Sequence, residues 1–274
     1  MFLIRIGAYP MKTALATAFV LAASTAFAQY SIPGTSDLWL AGQPDGTWAS
    51  GGSDSAPGQS PFLVSGITAG TFYSFAVTGS VTNGGGSPFV GPEGNTSWFL
   101  SHTGGAENGI SNLNAPINSL IGVFVDDTRP TTPGAGLDFQ ALGLDFATFS
   151  PTLNQAFFIG DGVNASAQTQ TFLAPAGATR LFLGTMDSYE WNNNSGTYAV
   201  NITAIPEPST YAAILGLGTL AVVWFRRRKA CAPSRQPAPR TGEPTRAPVL
   251  SCLRPTTTFA LPALRFSRHA ADPA

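Results

Sequence analysis

From Gln29 to Ile205 the chain sets short apolar runs between clusters of Gly, Pro, Asn and Asp. Across residues 71–78, Tyr73, Phe75 and Val77 alternate with small or polar residues, the period of a strand with one buried face. Segments 120–125, 156–159, 171–173, 180–185 and 198–203 predict further strands, and 38–40 and 62–64 predict weaker ones. Turn formers fill the gaps, among them Gly84-Gly85-Gly86, Pro133-Gly134 and Pro175-Ala176-Gly177. About eight short strands and little else predict an all-β domain, a β-sandwich or jelly roll with long loops. Residues 137–149 fit two periods: Leu142, Phe146 and Phe149 share a helical face, while Leu142, Leu144 and Phe146 fit a strand. The segment is open between the two, and its doubled Leu-Asp-Phe, at 137–139 and 144–146, is too slight to make a repeat architecture.

The two ends follow different rules. Lys12, the apolar stretch 14–23 and the small-x-small site Ala26-Phe27-Ala28 predict that residues 1–28 are a secretory signal peptide. Its start is Met1 or Met11, and the mature chain begins at Gln29. Near the other end Pro206-Glu207-Pro208 precedes an apolar or small run at 211–225, and Arg226, Arg227, Arg228 and Lys229 follow directly. Counting Ser209 and Thr210, residues 209–225 predict a thin transmembrane segment, since a span takes roughly 17–25 residues. The four cations are a membrane stop that stays cytoplasmic, which places the residues before Pro206 outside the inner membrane. Pro206 and Pro208 favour extended backbone and present Glu207 to a protease. The tail at 230–274 is rich in Pro, Arg, Ala and Thr and is predicted to be disordered and basic, a product of read-through or frameshift.

Charge narrows the functions open to the 29–205 domain. It carries twelve Asp and Glu but only two basic residues, Arg129 and Arg180, so a nucleic-acid partner is disfavoured by repulsion from phosphate. Both cysteines, Cys231 and Cys252, lie outside it, and His102 is its only histidine. A disulfide, a thiol nucleophile, a Cys-based zinc site and a multi-histidine centre are therefore excluded there. No Gly-x-Ser-x-Gly elbow, P-loop or dinucleotide fingerprint occurs.

The order Pro-Glu-Pro at 206–208, apolar span and Arg cluster resembles the PEP-CTERM sorting signal of Gram-negative bacteria. That resemblance implies an exosortase partner, transient anchoring in the inner membrane, export, and retention at the cell surface or in the extracellular matrix. It implies nothing about what the exported domain does. Chains with this signal end soon after the Arg cluster, whereas this one continues through the 230–274 tail.

The segment with most chemistry in it is 180–203, where a strand gives way to Met186-Asp187-Ser188-Tyr189-Glu190-Trp191-Asn192-Asn193-Asn194-Ser195-Gly196 and then to a second strand. A loop so dense in Asp and Asn offers hard oxygens of the kind calcium takes: charge from Asp187, amide oxygens from Asn193 and Asn194. The same composition also suits a plain hairpin loop. Asn193-Asn194-Ser195-Gly196 with Tyr198-Ala199-Val200-Asn201-Ile202, and the turn Gly91-Pro92-Glu93-Gly94-Asn95, are similar to bacterial calcium-dependent galactose-binding lectins. This likeness implies a jelly roll in which Asp187, Asn193 and Asn194 ligate Ca2+ through side chains, and the main chain near Asn83 and Glu190 completes the shell. It implies a glycan or exopolysaccharide partner whose hydroxyls meet the ion, Asp187 and Asn193. The lectins' sugar-contacting His has no counterpart, and the same count reaches Trp98, which fits a core aromatic better than a ring stacked on sugar.

No catalytic residue is expected. The readings set against a calcium-dependent glycan binder are a structural matrix protein without a discrete ligand and, behind it, a glycan hydrolase using Asp126, Asp127 or Asp161.

Overall fold

The computed structural model describes residues 29–50, 53–205 and 216–224. The β domain is built of β1 (Tyr30–Pro33), β2 (Phe62–Ser65), β3 (Phe72–Thr82), β4 (Asn95–Ser101), β5 (Leu113–Ile117), β6 (Leu120–Val125), β7 (Leu137–Asp138), β8 (Thr148–Phe149), β9 (Ala156–Phe158), β10 (Thr171–Leu173), β11 (Arg180–Thr185) and β12 (Ser195–Ile205). These form three sheets, ordered β1-β12-β3-β10-β8, β2-β11-β6-β9 and β4-β5-β7. The architecture is mostly β, as the strand pattern predicts.

The longest pairing runs antiparallel from Ser195 opposite Thr82 to Ile205 opposite Phe72, making β3 and β12 the spine of the first sheet. Tyr73, Phe75 and Val77 point inward from β3, and Tyr198, Val200 and Ile202 from β12, so the period of two sets which face is buried. The second sheet is buried more completely: every residue of β6 and β9 is enclosed. Aromatic contacts cross between the two sheets, Tyr73 with Phe124 at 6.4 Å and Phe157 with Phe172 at 5.5 Å, so both sheets face one common core. Gly79 breaks the alternation in β3. Its φ of 104° is open only to glycine at low cost, and a Cβ there would lie 2.3 Å from the Thr197 carbonyl of β12.

Several segments depart from the sequence pattern. Residues Leu38–Leu40, expected as a strand, form a single 3-10 turn, because the buried Asp37 carboxylate accepts the Trp39 N–H at 2.9 Å and caps it. The segment 137–149 contains both periods in pieces: β7, one helical turn at Phe139–Leu142 capped by Asp138, and β8. Phe139, Phe146 and Phe149 pack on one another there, while Leu142 is 60% exposed. Strands β1, β4 and β5 were not among the expected elements. Two interrupt their own alternation, β4 by a bulge between Asn95 and Phe99 and β5 by Pro116.

A separate nine-residue helix covers 216–224 and leaves Leu217, Leu220, Val222, Val223 and Trp224 exposed. Among the described residues no helix is long and apolar enough to cross a membrane. The remainder of the expected span 209–225, the signal peptide 1–28 and the tail 230–274 lie outside the described residues.

Tyr198 ties the sheets to the turns above them. Its ring is wholly buried and its hydroxyl lies 2.7 Å from the Asn118 carbonyl and 2.9 Å from that of Gly91. Tyr198→Phe keeps the packing and strands those acceptors, so it is expected to lower unfolding stability by about 1–3 kcal/mol, read by chemical denaturation.

Candidate functional site

The 186–194 loop joins the two large sheets, since it leaves β11 at the centre of one and enters β12 inside the other. Its start is pinned to the β5–β6 turn: Asn118 N–H donates to the Met186 carbonyl at 2.7 Å, and Met186 N–H to Ser119 at 2.9 Å. The Ser188 carbonyl accepts Thr103 N–H at 2.9 Å. Glu190 takes the left-handed conformation, φ 64°, and turns the chain into a 3-10 turn at Trp191–Asn193. That turn has its free N–H groups answered from far along the chain. Asp54, almost wholly buried, accepts Trp191 N–H at 2.9 Å and Asn192 N–H at 2.8 Å. Trp191 itself is buried and donates its indole N–H to the Thr185 carbonyl at 2.8 Å.

This framework brings four of the five residues expected as ligands to one cleft, and Asn194 is not among its lining. Asn83, Trp98, Asp187, Glu190 and Asn193 line one cleft of about 260 Å³. Asn193 Nδ2 donates to Glu190 Oε2 at 3.3 Å, and Asn83 Oδ1 accepts from Asn118 Nδ2 at 3.3 Å. Gly84 lets the Asn83 turn come this close: at φ 74°, a Cβ there would lie 2.7 Å from the Asn193 carbonyl and side-chain oxygens. Asn194 is buried, its Nδ2 donating to the Gly34 carbonyl at 3.3 Å. Its Oδ1 is buried with no hydrogen-bond partner among the described residues.

Burial pushes the Asp187 carboxyl up to about 6, against hydrogen bonds from Ser188 N–H, the Asn194 amide and Tyr189 N–H, and the charge of Asp54 adds to the rise. Burial likewise raises Asp37 well above the carboxylate range, with the charges of Asp54, Glu107 and Asp187 adding to the effect. Nearby His102 stacks on Trp39 at 4.0 Å and lies 3.5 Å from Glu107, but burial lowers its pKa and disfavours its cationic form. Neither arginine of the domain serves these acids. Arg180 donates to the main-chain carbonyls of Asp126 and Thr128, and Arg129 to the Gln43 side chain. Among the described residues no three His, Cys, Asp or Glu side chains group as metal ligands, so a cation here would draw mainly on amide and main-chain oxygens.

Trp98 corrects one expectation. It is 49% exposed on the rim of the cleft and is not a core residue, because the β4 bulge falls across residues 96–98 and turns it out. Two residues of the site escaped sequence reasoning. Asp54 stands alone in a Gly/Ser-rich loop and gives no local sign of its distant partners. Tyr189, 47% exposed on the same rim, could have been found as the large ring two positions beyond Asp187.

Of the carboxylates in the hydrolase reading, Asp161 lines a cleft that Asp126 and Asp127 do not line. Asp126 accepts from its own turn, from Thr128 N–H at 2.8 Å and Thr128 Oγ1 at 2.6 Å. Asp161 faces Glu93, whose Oε1 accepts Asp161 N–H at 2.9 Å, on a different cleft of about 240 Å³. Burial, with the Asp161 charge and a side-chain hydrogen bond between the pair, raises Glu93 from 4.5 to about 7. A raised folded pKa means that the protonated form is favoured in the native state, so Glu93's contribution to stability is full below 4.5 and lost as pH rises through about 7. The melting temperature should therefore fall across that interval, and Glu93→Gln should flatten that part of the profile.

Residues 204–229 match the model of the PEP-CTERM protein-sorting motif. The motif marks the protein for export and sorting to the cell surface or envelope, and implies processing by an exosortase. No curated protein matches the chain. Pro206, Glu207 and Pro208 of that motif, with Arg226, Arg227, Arg228 and Lys229, lie outside the described residues.

Proposed function

We propose that the β domain is a non-enzymatic, calcium-dependent glycan-binding module, exported by a Gram-negative cell and retained at its surface or in its exopolysaccharide. The observation that carries this reading is the buried Asn194 Oδ1 beside Asp187, without a hydrogen-bond partner among the described residues, in a loop whose acids are served by neither Arg129 nor Arg180. Placing such an oxygen and such a carboxylate away from water costs free energy unless something positive meets them. The Asp187 carboxylate, the Asn193 and Asn194 side-chain oxygens and the Asn83 and Glu190 carbonyls are hard donors, the type calcium gathers in sets of about six to eight. An ion held there supplies the positive charge to which neighbouring sugar hydroxyls are drawn. Asp187 and Asn193 accept and donate hydrogen bonds to those hydroxyls and fix the sugar's orientation. The likeness to calcium-dependent galactose-binding jelly rolls supports the same assignment.

Titration calorimetry of the full chain with calcium is expected to give saturable heat that Asp187→Ala abolishes. No heat, or heat indifferent to that substitution, would return the domain to a structural matrix role. For sorting, we assign recognition by the exosortase to Pro206, Glu207 and Pro208, with the Arg226–Lys229 cluster held on the cytoplasmic side of the inner membrane. Glu207→Ala is expected to accumulate uncleaved precursor in the membrane fraction, and normal processing of that variant would refute the assignment.

A further inference from the structure

The cleft offers two chemistries. Asp187, Glu190 and the amides of Asn83 and Asn193 line it, and so do Leu100, Ile117 and the rings of Trp98 and Tyr189. Both rings are about half exposed, unlike Trp39, Trp191 and Tyr198, which the core encloses completely. Their backbones are nonetheless held. Trp98 is carried by the bulged strand β4, where Ser97 N–H donates to Asn95 Oδ1 at 3.1 Å. Tyr189 is flanked by the Ser188 carbonyl bonded to Thr103 and by left-handed Glu190, and its own N–H hydrogen-bonds Asp187. Exposed aromatic surface on fixed backbone has a use where a ligand brings an apolar face to it.

The geometry points to Trp98 and Tyr189 as the specificity-determining residues of the cleft, stacking on the C–H face of a neutral pyranoside whose hydroxyls meet its polar lining. This rests on the calcium-dependent glycan reading above and names the class of glycan. A pyranose answers both chemistries of the lining, with hydroxyls at its edge and contiguous C–H groups on a face that packs on an aromatic ring. The neutrality follows from charge. Asp187 and Glu190 are the charged side chains lining the cleft, and a divalent cation balances them without surplus to hold a carboxylated sugar. Uronate-rich polymers would also meet the acidic surface of the domain.

The test compares the full chain with Trp98→Ala, Tyr189→Ala and Tyr189→Phe, each titrated first with calcium alone and then, calcium-loaded, with neutral methyl pyranosides and with the matching uronic acids. Retained calcium heat reports that the loop is folded, independently of any sugar. Each alanine variant is expected to bind the neutral glycoside about three- to tenfold more weakly, with Tyr189→Phe restoring the affinity, since it keeps the ring. The uronic acids are expected to bind more weakly than their neutral counterparts. Unchanged glycoside affinity in both alanine variants, or preference for the uronic acids, overturns this inference and leaves the calcium-dependent reading standing. A wild-type chain that takes calcium but no glycan in either series overturns both.

Discussion

Two hydrogen bonds to a single buried carboxylate hold the site in place. Asp54 accepts the main-chain N–H groups of Trp191 and Asn192, from a point more than a hundred residues earlier in the chain. A short 3-10 turn leaves its first N–H groups without internal partners, and here they would be left inside the protein. The charged acceptor answers both at once, and hydrogen bonds to an ionised group are the stronger kind. With the turn fixed, the Trp191 ring can be sealed into the core and the following Asn193 and Asn194 have a defined direction.

That solution brings a further negative charge into a region already rich in it. Asp37, Asp54, Glu107 and Asp187 act on one another, and the histidine beside them is held toward its neutral form. In most folds an arginine would offset such a group. Here Arg180 and Arg129 are occupied with Asp126, Thr128 and Gln43. Two responses remain: the acids take protons, which is the direction of the Asp37 and Asp187 shifts, or a cation from solution takes the protons' place. Burial first, and the neighbouring negative charges after it, raise the Asp37 and Asp187 pKa values, and the same unbalanced charge is what the proposed cation would offset.

Much of the frame was legible in the sequence because side-chain alternation is a local signal. Tyr73, Phe75 and Val77 declared the buried face of β3, and the stretches 120–125, 171–173 and 180–185 are strands over those same residues. The candidate ligands of the loop could be named from the sequence, since Asp187, Asn193 and Asn194 are close together in the chain, whereas Asn83 was placed only through resemblance. What stayed hidden depends on distant partners. Leu38–Leu40 has strand-like composition, but the Asp37 cap decides its shape. Trp98 looked like core because large aromatics usually are, and a bulge in β4 reversed it. Asp54 could not be found at all, since its role exists only once Trp191 has been brought to it.

The irregular positions of the structure are where its chemistry collects. A sandwich with regular alternation turns apolar side chains in and small polar ones out, which gives a stable core and a surface with little to offer a ligand. The bulge that turns Trp98 outward and the left-handed Glu190 beside Tyr189 both depart from that rule. The left-handed conformation costs a non-glycine residue roughly 1–2 kcal/mol, an expense the Asp54 and Trp191 contacts are placed to offset. Pattern therefore accounts for the stability of this domain, and the breaks in pattern, at the bulge and the left-handed residue, put two rings and a carboxylate around one cleft.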